Sequence, residues 1–196
     1  MVLKWARAST TCEISGDGAV LTKVKGGNYN RLALGAESMG TGVHEWEVEL
    51  SAGATANKSI TMYVGVARDG LDVEKGNHFK QGNGWFLRPD DGGLYGAGLD
   101  LGTGAQGQGA FTRGDRVGVR LDLGDGTLQF FKNGDVFGTG FPAGTVTGEV
   151  VMAIELVCPG QSVTLKARRR ARVEKTDAMF AACSSQDQAD RLELPQ

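Results

Sequence analysis

Apolar and polar positions alternate with a period of two over many short stretches of the chain, the pattern of strands that bury one face. The clearest run spans 114–138, GDRVGVRLDLGDGTLQFFKNGDVFG. Val117, Val119, Leu121 and Leu123 alternate there with Arg116, Gly118, Arg120 and Asp122. Asp125-Gly126 predicts a tight turn, Thr127 to Lys132 a returning strand, Asn133-Gly134 a second turn, and Val136-Phe137 the start of a third strand. The stretch reads as an antiparallel meander.

The same reading extends along the chain. A short first strand is expected near Trp5, then a hairpin of 13–15 and 19–22 around Gly16-Asp17-Gly18. A loop at 26–30 precedes a short strand at 31–34. The strand at 42–50 turns His44, Trp46, Val48 and Leu50 inward and Val43, Glu45, Glu47 and Glu49 the other way. In the strand at 60–67, Met62, Val64 and Val66 share one face. Residues 68–83 form a long polar connection, the kind of segment that tends to carry recognition, with His78 expected in solvent. Strands at 84–88 and 94–96 flank a turn at 90–93, and strands at 150–157 and 162–166 complete the set. A second glycine-rich loop occupies 98–109. The domain is thus expected over 1–166, followed at 167–196 by a basic and then polar tail, partly disordered or at most a short helix.

Composition agrees with many strands and tight turns. Glycine makes up 31 of 196 residues, about twice its usual ~7% share. The formal charge of −2 gives no general pull toward nucleic acid or anionic membranes. Cys12, Cys158 and Cys183 are odd in number and widely spaced, which fits a reducing compartment better than a disulfide framework. No apolar run approaches the ~20 residues of a membrane span, and the amino terminus lacks the apolar core of a signal peptide. The expected location is intracellular, in the cytoplasm first and the nucleus second. Asn57-Lys58-Ser59 then reads as a chance match to a glycosylation acceptor.

Few groups converge as catalysis requires. His44 lies within a strand and His78 in a loop, no Cys-His cluster has metal spacing, and no Gly-x-Ser-x-Gly elbow occurs. Gly102 to Gly107 spells G-x-G-x-x-G, but a phosphate cradle needs a helix to follow, and more glycine follows here. Asp122, Asp125 and Asp135 each sit beside a turn glycine, a conformational reason for aspartate that calcium is not needed to explain. Trp46, Trp85, Phe130 and Phe131 read as core. Arg168-Arg169-Arg170 and Arg172 read as a solvated tail, with nucleic-acid contact as the lesser alternative. No enzyme, cofactor or metal is expected.

Five blocks, in order, carry a family resemblance. Gly42-Val43-His44-Glu45-Trp46-Glu47-Val48 resembles the G-x-(H/Y)-x-W-E-V strand of SPRY domains, and Val64-Gly65-Val66-Ala67 the V-G-(V/I)-A strand that follows it. Gly84-Trp85 with Tyr95 is similar to the next tryptophan strand and its tyrosine-bearing return. Gly114-Asp115-Arg116-Val117-Gly118-Val119 and Leu128-Gln129-Phe130-Phe131-Lys132-Asn133-Gly134 resemble G-D-x-(I/V)-G-V and L-x-F-x-x-N-G. The resemblance covers about 42–166 and implies an all-β fold, a bent two-sheet antiparallel β-sandwich. It also implies a non-catalytic protein-protein interaction module, an adaptor or scaffold that grips a peptide or protein surface with loops at one end. No membrane or small-molecule substrate is expected. Carried over position by position, the implied ligand-binding residues are Asn28, Tyr29, Arg31, Arg68, Arg88, Tyr95, Val157 and Cys158. A lectin-like glycan site around Asp90, Asp91 and Tyr95 is the alternative from another class.

Overall fold

Strands with one apolar face are stable only when that face meets another, and here two stacked sheets supply it. The computed structural model describes residues 3–52, 61–96 and 111–166. The strands are β1 (Trp5–Ala8), β2 (Cys12–Ser15), β3 (Val20–Lys23), β4 (Arg31–Met39), β5 (Val43–Ala52), β6 (Met62–Ala67), β7 (Gly84–Arg88), β8 (Gly93–Gly96), β9 (Arg116–Asp122), β10 (Thr127–Lys132), β11 (Asp135–Phe141), β12 (Val150–Leu156) and β13 (Ser162–Lys166). A six-stranded sheet has the order β1-β4-β12-β6-β7-β8, and a seven-stranded sheet the order β11-β10-β9-β5-β13-β3-β2. The strand pairs are antiparallel. Among the described residues the only helical pieces are 3-10 turns at Gly16–Gly18 and His78–Gln81.

The meander folds as its pattern predicts. Asp122 pairs with Thr127 across the first turn and Lys132 with Asp135 across the second. Asn133 and Gly134 both take positive φ, 55° and 102°, as a two-residue hairpin between right-twisted strands requires. Its inward residues Val117, Val119, Leu121, Leu128 and Phe130 are fully buried against Trp46, Val48 and Leu50 of β5 and Val64, Val66, Met152 and Ile154 of the facing sheet. Each such side chain contributes roughly 1.5–3 kcal/mol by leaving water.

The six-stranded sheet is buried on both faces. Leu32, Leu34, Tyr63, Ala67, Phe86, Tyr95, Val151 and Ala153 form a second apolar cluster on its outer side. Phe79, from the connection after β6, lies on it, with Leu71 and Val73 packed alongside. The polar connection expected at 68–83 is therefore a cover, and His78, expected in solvent, is only 2% exposed. The cover is held down by its polar atoms. Asn77 and His78 donate backbone N–H bonds of 2.9 Å to the carboxylate of the fully buried Glu155, which also accepts from the Asn30 amide at 2.7 Å. Glu74 accepts from Ser9 at 2.9 Å and from the Thr10 backbone at 2.6 Å.

Two further expectations need correction. The strand predicted over four residues at 31–34 is the nine-residue β4, because it has partners on both sides, β1 and β12, that compensate for its weak Gly-Ala-Glu-Ser segment. Phe131, expected in the core, sits half-buried on the outer face of the seven-stranded sheet. It covers Gly118, where an added Cβ would approach the Phe131 Cβ to 3.0 Å. Much of that face is ionic: Arg120–Glu45 at 3.4 Å, Arg116–Glu47 at 3.5 Å and Lys166–Glu49 at 3.5 Å. At its edge, β11 is bent by a register shift opposite Gln129, where Gly138 and Gly140 take φ of 62° and 66°.

Gly65 tests this packing. A Cβ there would fall 2.0 Å from the Trp85 carbonyl oxygen, backbone that cannot move without parting β6 from β7. Gly65→Ala is expected to lower unfolding free energy by about 3 kcal/mol, the upper range for overpacking. Urea denaturation reads it, and a loss below about 1 kcal/mol contradicts the packing described.

Candidate recognition site

Strand register decides which loops are neighbours. Leu156 at the end of β12 pairs with Arg31 at the start of β4 and Met62 at the start of β6. Arg88 at the end of β7 pairs with Gly93 at the start of β8, and Val64 with Leu87 joins those hairpins. The β3–β4, β12–β13 and β7–β8 connections therefore meet at one end of the six-stranded sheet. Arg68, following β6, emerges at the opposite end. There its guanidinium donates to the Thr147 carbonyl and, at 3.2 Å, to the Glu149 carbonyl, and lies 4.9 Å from the Trp85 ring.

Hydrogen bonds join these loops to one another. The fully buried Gln161 accepts at its side-chain oxygen from Val157 N–H at 2.7 Å and Cys158 N–H at 2.9 Å, and its amide donates to the Thr61 carbonyl at 2.8 Å. The Thr61 hydroxyl donates to Asp90 at 2.9 Å. Arg88 pairs with Asp90 at 2.6 Å and with Asp91 at 3.2 Å. Burial works against the Arg88 charge, but its bonds to Asp90 and Tyr95 outweigh that and push its pKa above the ordinary arginine value. On the β3–β4 side, Lys23 donates to the carbonyls of Gly27, Tyr29 and Val157 at 3.0, 2.6 and 2.7 Å.

The residues expected to bind ligand divide by exposure. Asn28 is exposed, and Tyr29, at 41%, is among the few large side chains with an open apolar surface. Its ring has the Arg31 guanidinium at 4.0 Å and the Lys23 ammonium at 4.5 Å. Arg31, Val157 and Cys158 are half-buried beside it, and Cys158 is a free thiol. Tyr95 is only 8% exposed: its ring packs edge-on to Tyr63 and Phe79, each at 5.3 Å. Only its hydroxyl reaches the loop end, donating to Asp91 at 3.1 Å. Lys23, Gln161 and Thr61 went unnoticed in the sequence, and Asp90 was noticed only for the glycan alternative. For Lys23 a signal existed, since it alternates with Leu21 and so falls on the inward side of β3.

The family model of the SPRY domain matches residues 43–170. The chain belongs to the SPRY family. SPRY domains generally act as protein-interaction modules. The crystal structure of the SPRY domain of human HERC1 resembles this one with a TM-score of 0.67 and 23% identity, covering 82% of this chain and 94% of that one. The TRIM65 PSpry domain gives 0.62 at 16% identity, covering 85% and 92%. At these identities the likeness shows the fold. No curated protein sequence matches the chain.

In this SPRY domain, among the described residues, no three or more His, Cys, Asp or Glu side chains gather as a metal ion would require. The glycine-rich stretch at 98–109, the Asn57 acceptor motif, Cys183 and the arginine-bearing tail lie outside the described residues.

Burial raises the pKa of both clustered tyrosines, Tyr63 to about 12. An ordinary unfolded tyrosine ionises near ~10. The folded state thus resists ionisation: stability is whole below the unfolded pKa and is lost as pH rises through the folded one. The urea midpoint is expected to fall between about pH 10 and about pH 12, and Tyr63→Phe should remove much of that fall. An unchanged pH slope in the variant would exclude Tyr63 as its source.

Proposed function

We propose that this SPRY domain is a non-catalytic adaptor that recognises an extended peptide through the end of the sandwich built by the β3–β4, β12–β13 and β7–β8 connections. The observation that carries the reading is the exposed Tyr29, set against Arg31 and beside Val157, on loops tied to the sheet by buried side-chain hydrogen bonds. A rigid aromatic ring beside an arginine is the usual make-up of a binding hot spot, and loops already fixed lose little entropy on binding. Arg68, at the other end, is not part of this surface. Tyr95 contributes its hydroxyl through Asp91 and its ring as support. Its setting is intracellular, as the odd number and wide spacing of its cysteines suggest.

The glycan alternative requires acids free to hold sugar hydroxyls. Asp90 and Asp91 are instead paired with Arg88, and Asp91 also accepts from Tyr95 and from Gly93 N–H. That arrangement favours the peptide reading.

Selection of a random-peptide display library on the full chain tests it. Peptides enriched by the wild type should bind Tyr29→Ala about 30-fold more weakly, on the order of 2 kcal/mol for a hot-spot tyrosine. The melting temperature should stay within a degree or two, as exposed side chains ordinarily allow. Tyr95→Ala is the wrong probe, because it opens a cavity among Tyr63, Phe79 and Phe86. Enriched peptides that bind Tyr29→Ala equally well would remove the loop end from consideration.

A further inference from the structure

Leu21 and Lys23 alternate on β3, and both are fully buried. A lysine at that depth ordinarily faces a carboxylate. The hydrogen-bond acceptors of Lys23 are instead three backbone carbonyls, of Gly27, Tyr29 and Val157, at 3.0, 2.6 and 2.7 Å, with the Tyr29 ring 4.5 Å away. An ammonium has three N–H donors, so its hydrogen-bonding capacity is filled. Two of the carbonyls belong to the β3–β4 connection and the third to the β12–β13 connection. A single nitrogen therefore joins the two segments that present Asn28, Tyr29, Arg31, Val157 and Cys158.

The energetics set this contact apart from ordinary packing. Burial lowers the Lys23 pKa, so carbonyl dipoles only partly replace the water it has lost. The neighbouring groups acting on it are Cys12 of β2, Arg31 of β4 and Cys158 of the β12–β13 connection, and of these Arg31 is itself a cation. A buried charge without an opposite charge costs stability relative to an apolar side chain of similar shape. Its use lies in geometry: β3 could end in methionine and still fill the core, but methionine would bind none of the three carbonyls.

We propose that Lys23 is a positioning residue, whose ammonium fixes the β3–β4 and β12–β13 connections in the conformation that presents the recognition surface, at a net cost to stability. The proposal rests on the loop-end reading of function and adds the group that shapes that end.

The test compares the wild-type chain with Lys23→Met by thermal melting and amide hydrogen exchange. The melting temperature is expected to hold or rise. Amide exchange at Val24, Lys25, Tyr29, Val157, Cys158 and Gly160, all hydrogen-bonded in the fold, should quicken by about tenfold or more while β5, β9 and β12 keep their protection, the mark of local rather than global opening. In Lys23→Ala, millimolar n-propylammonium should restore slow exchange in both loops, and tetramethylammonium, which has no N–H donor, should not. Unchanged loop exchange, a variant that fails to fold, or faster exchange throughout both sheets with a lower melting temperature overturns the proposal. So does loosening that n-propylammonium leaves uncorrected, which assigns the effect to the alkyl stem. If the loops loosen while binding of the enriched peptides is unaltered, the positioning role stands and the loop-end reading of function falls.

Discussion

The six-stranded sheet can exist in this form only because its outer face is covered. Its inner side meets the seven-stranded sheet in the usual way, but Tyr63, Phe86, Tyr95, Leu32 and Leu34 present an equally apolar surface outward. Phe79 stacks on Tyr63 at 4.8 Å with 24° between the rings and closes that surface. The segment bringing it there has no regular structure beyond one 3-10 turn, so its backbone donors must find partners one at a time. Glu155 supplies two of them from within the sheet. A carboxylate near the end of an otherwise apolar β12 thus makes sense as the anchor of the cover.

This arrangement also explains what was legible in the sequence. Alternation marks a strand with one wet face, and β5, β9 and β10, apart from the outward Phe131, were read correctly because they belong to the sheet whose outer side is largely polar and ionic. β12, with Val-Val-Met-Ala-Ile-Glu-Leu, is buried at every position and shows no alternation. Its position was recoverable from the apolar run, but its two-sided burial was not. The cover was harder still. Leu71, Val73 and Phe79 stand singly among polar residues, and nothing local distinguishes them from solvated loop positions. His78 was misjudged for the same reason.

The candidate site was legible at the level of loops and not of contacts. Asn28, Tyr29, Arg31, Arg88, Val157 and Cys158 do converge, because antiparallel register brings the ends of β3, β7 and β12 to one side. Arg68 was grouped with them on family likeness, yet it leaves β6 at the far side, a distinction that needs strand direction as well as strand order. Tyr95 was expected to bind ligand, whereas its ring belongs to the aromatic cluster. Gln161 and Lys23 form bonds to residues far away in sequence, Gln161 to Thr61 and Lys23 to Val157. Such partners follow from the fold and have no signature in a single sequence.

The bent outer strand β11 has a bearing on life at high protein concentration. A straight terminal strand offers a row of free N–H and C=O groups on which another chain can build a continuous ribbon. Gly138 and Gly140, in left-handed conformation, break that row into pieces too short and too twisted to accept a straight partner. The Gln129 amide donates to the Phe137 carbonyl at 3.3 Å and the Gly138 carbonyl at 3.2 Å, holding the bend in place. An irregularity that weakens local pairing thereby makes this edge a poor template for adding a strand to the sheet.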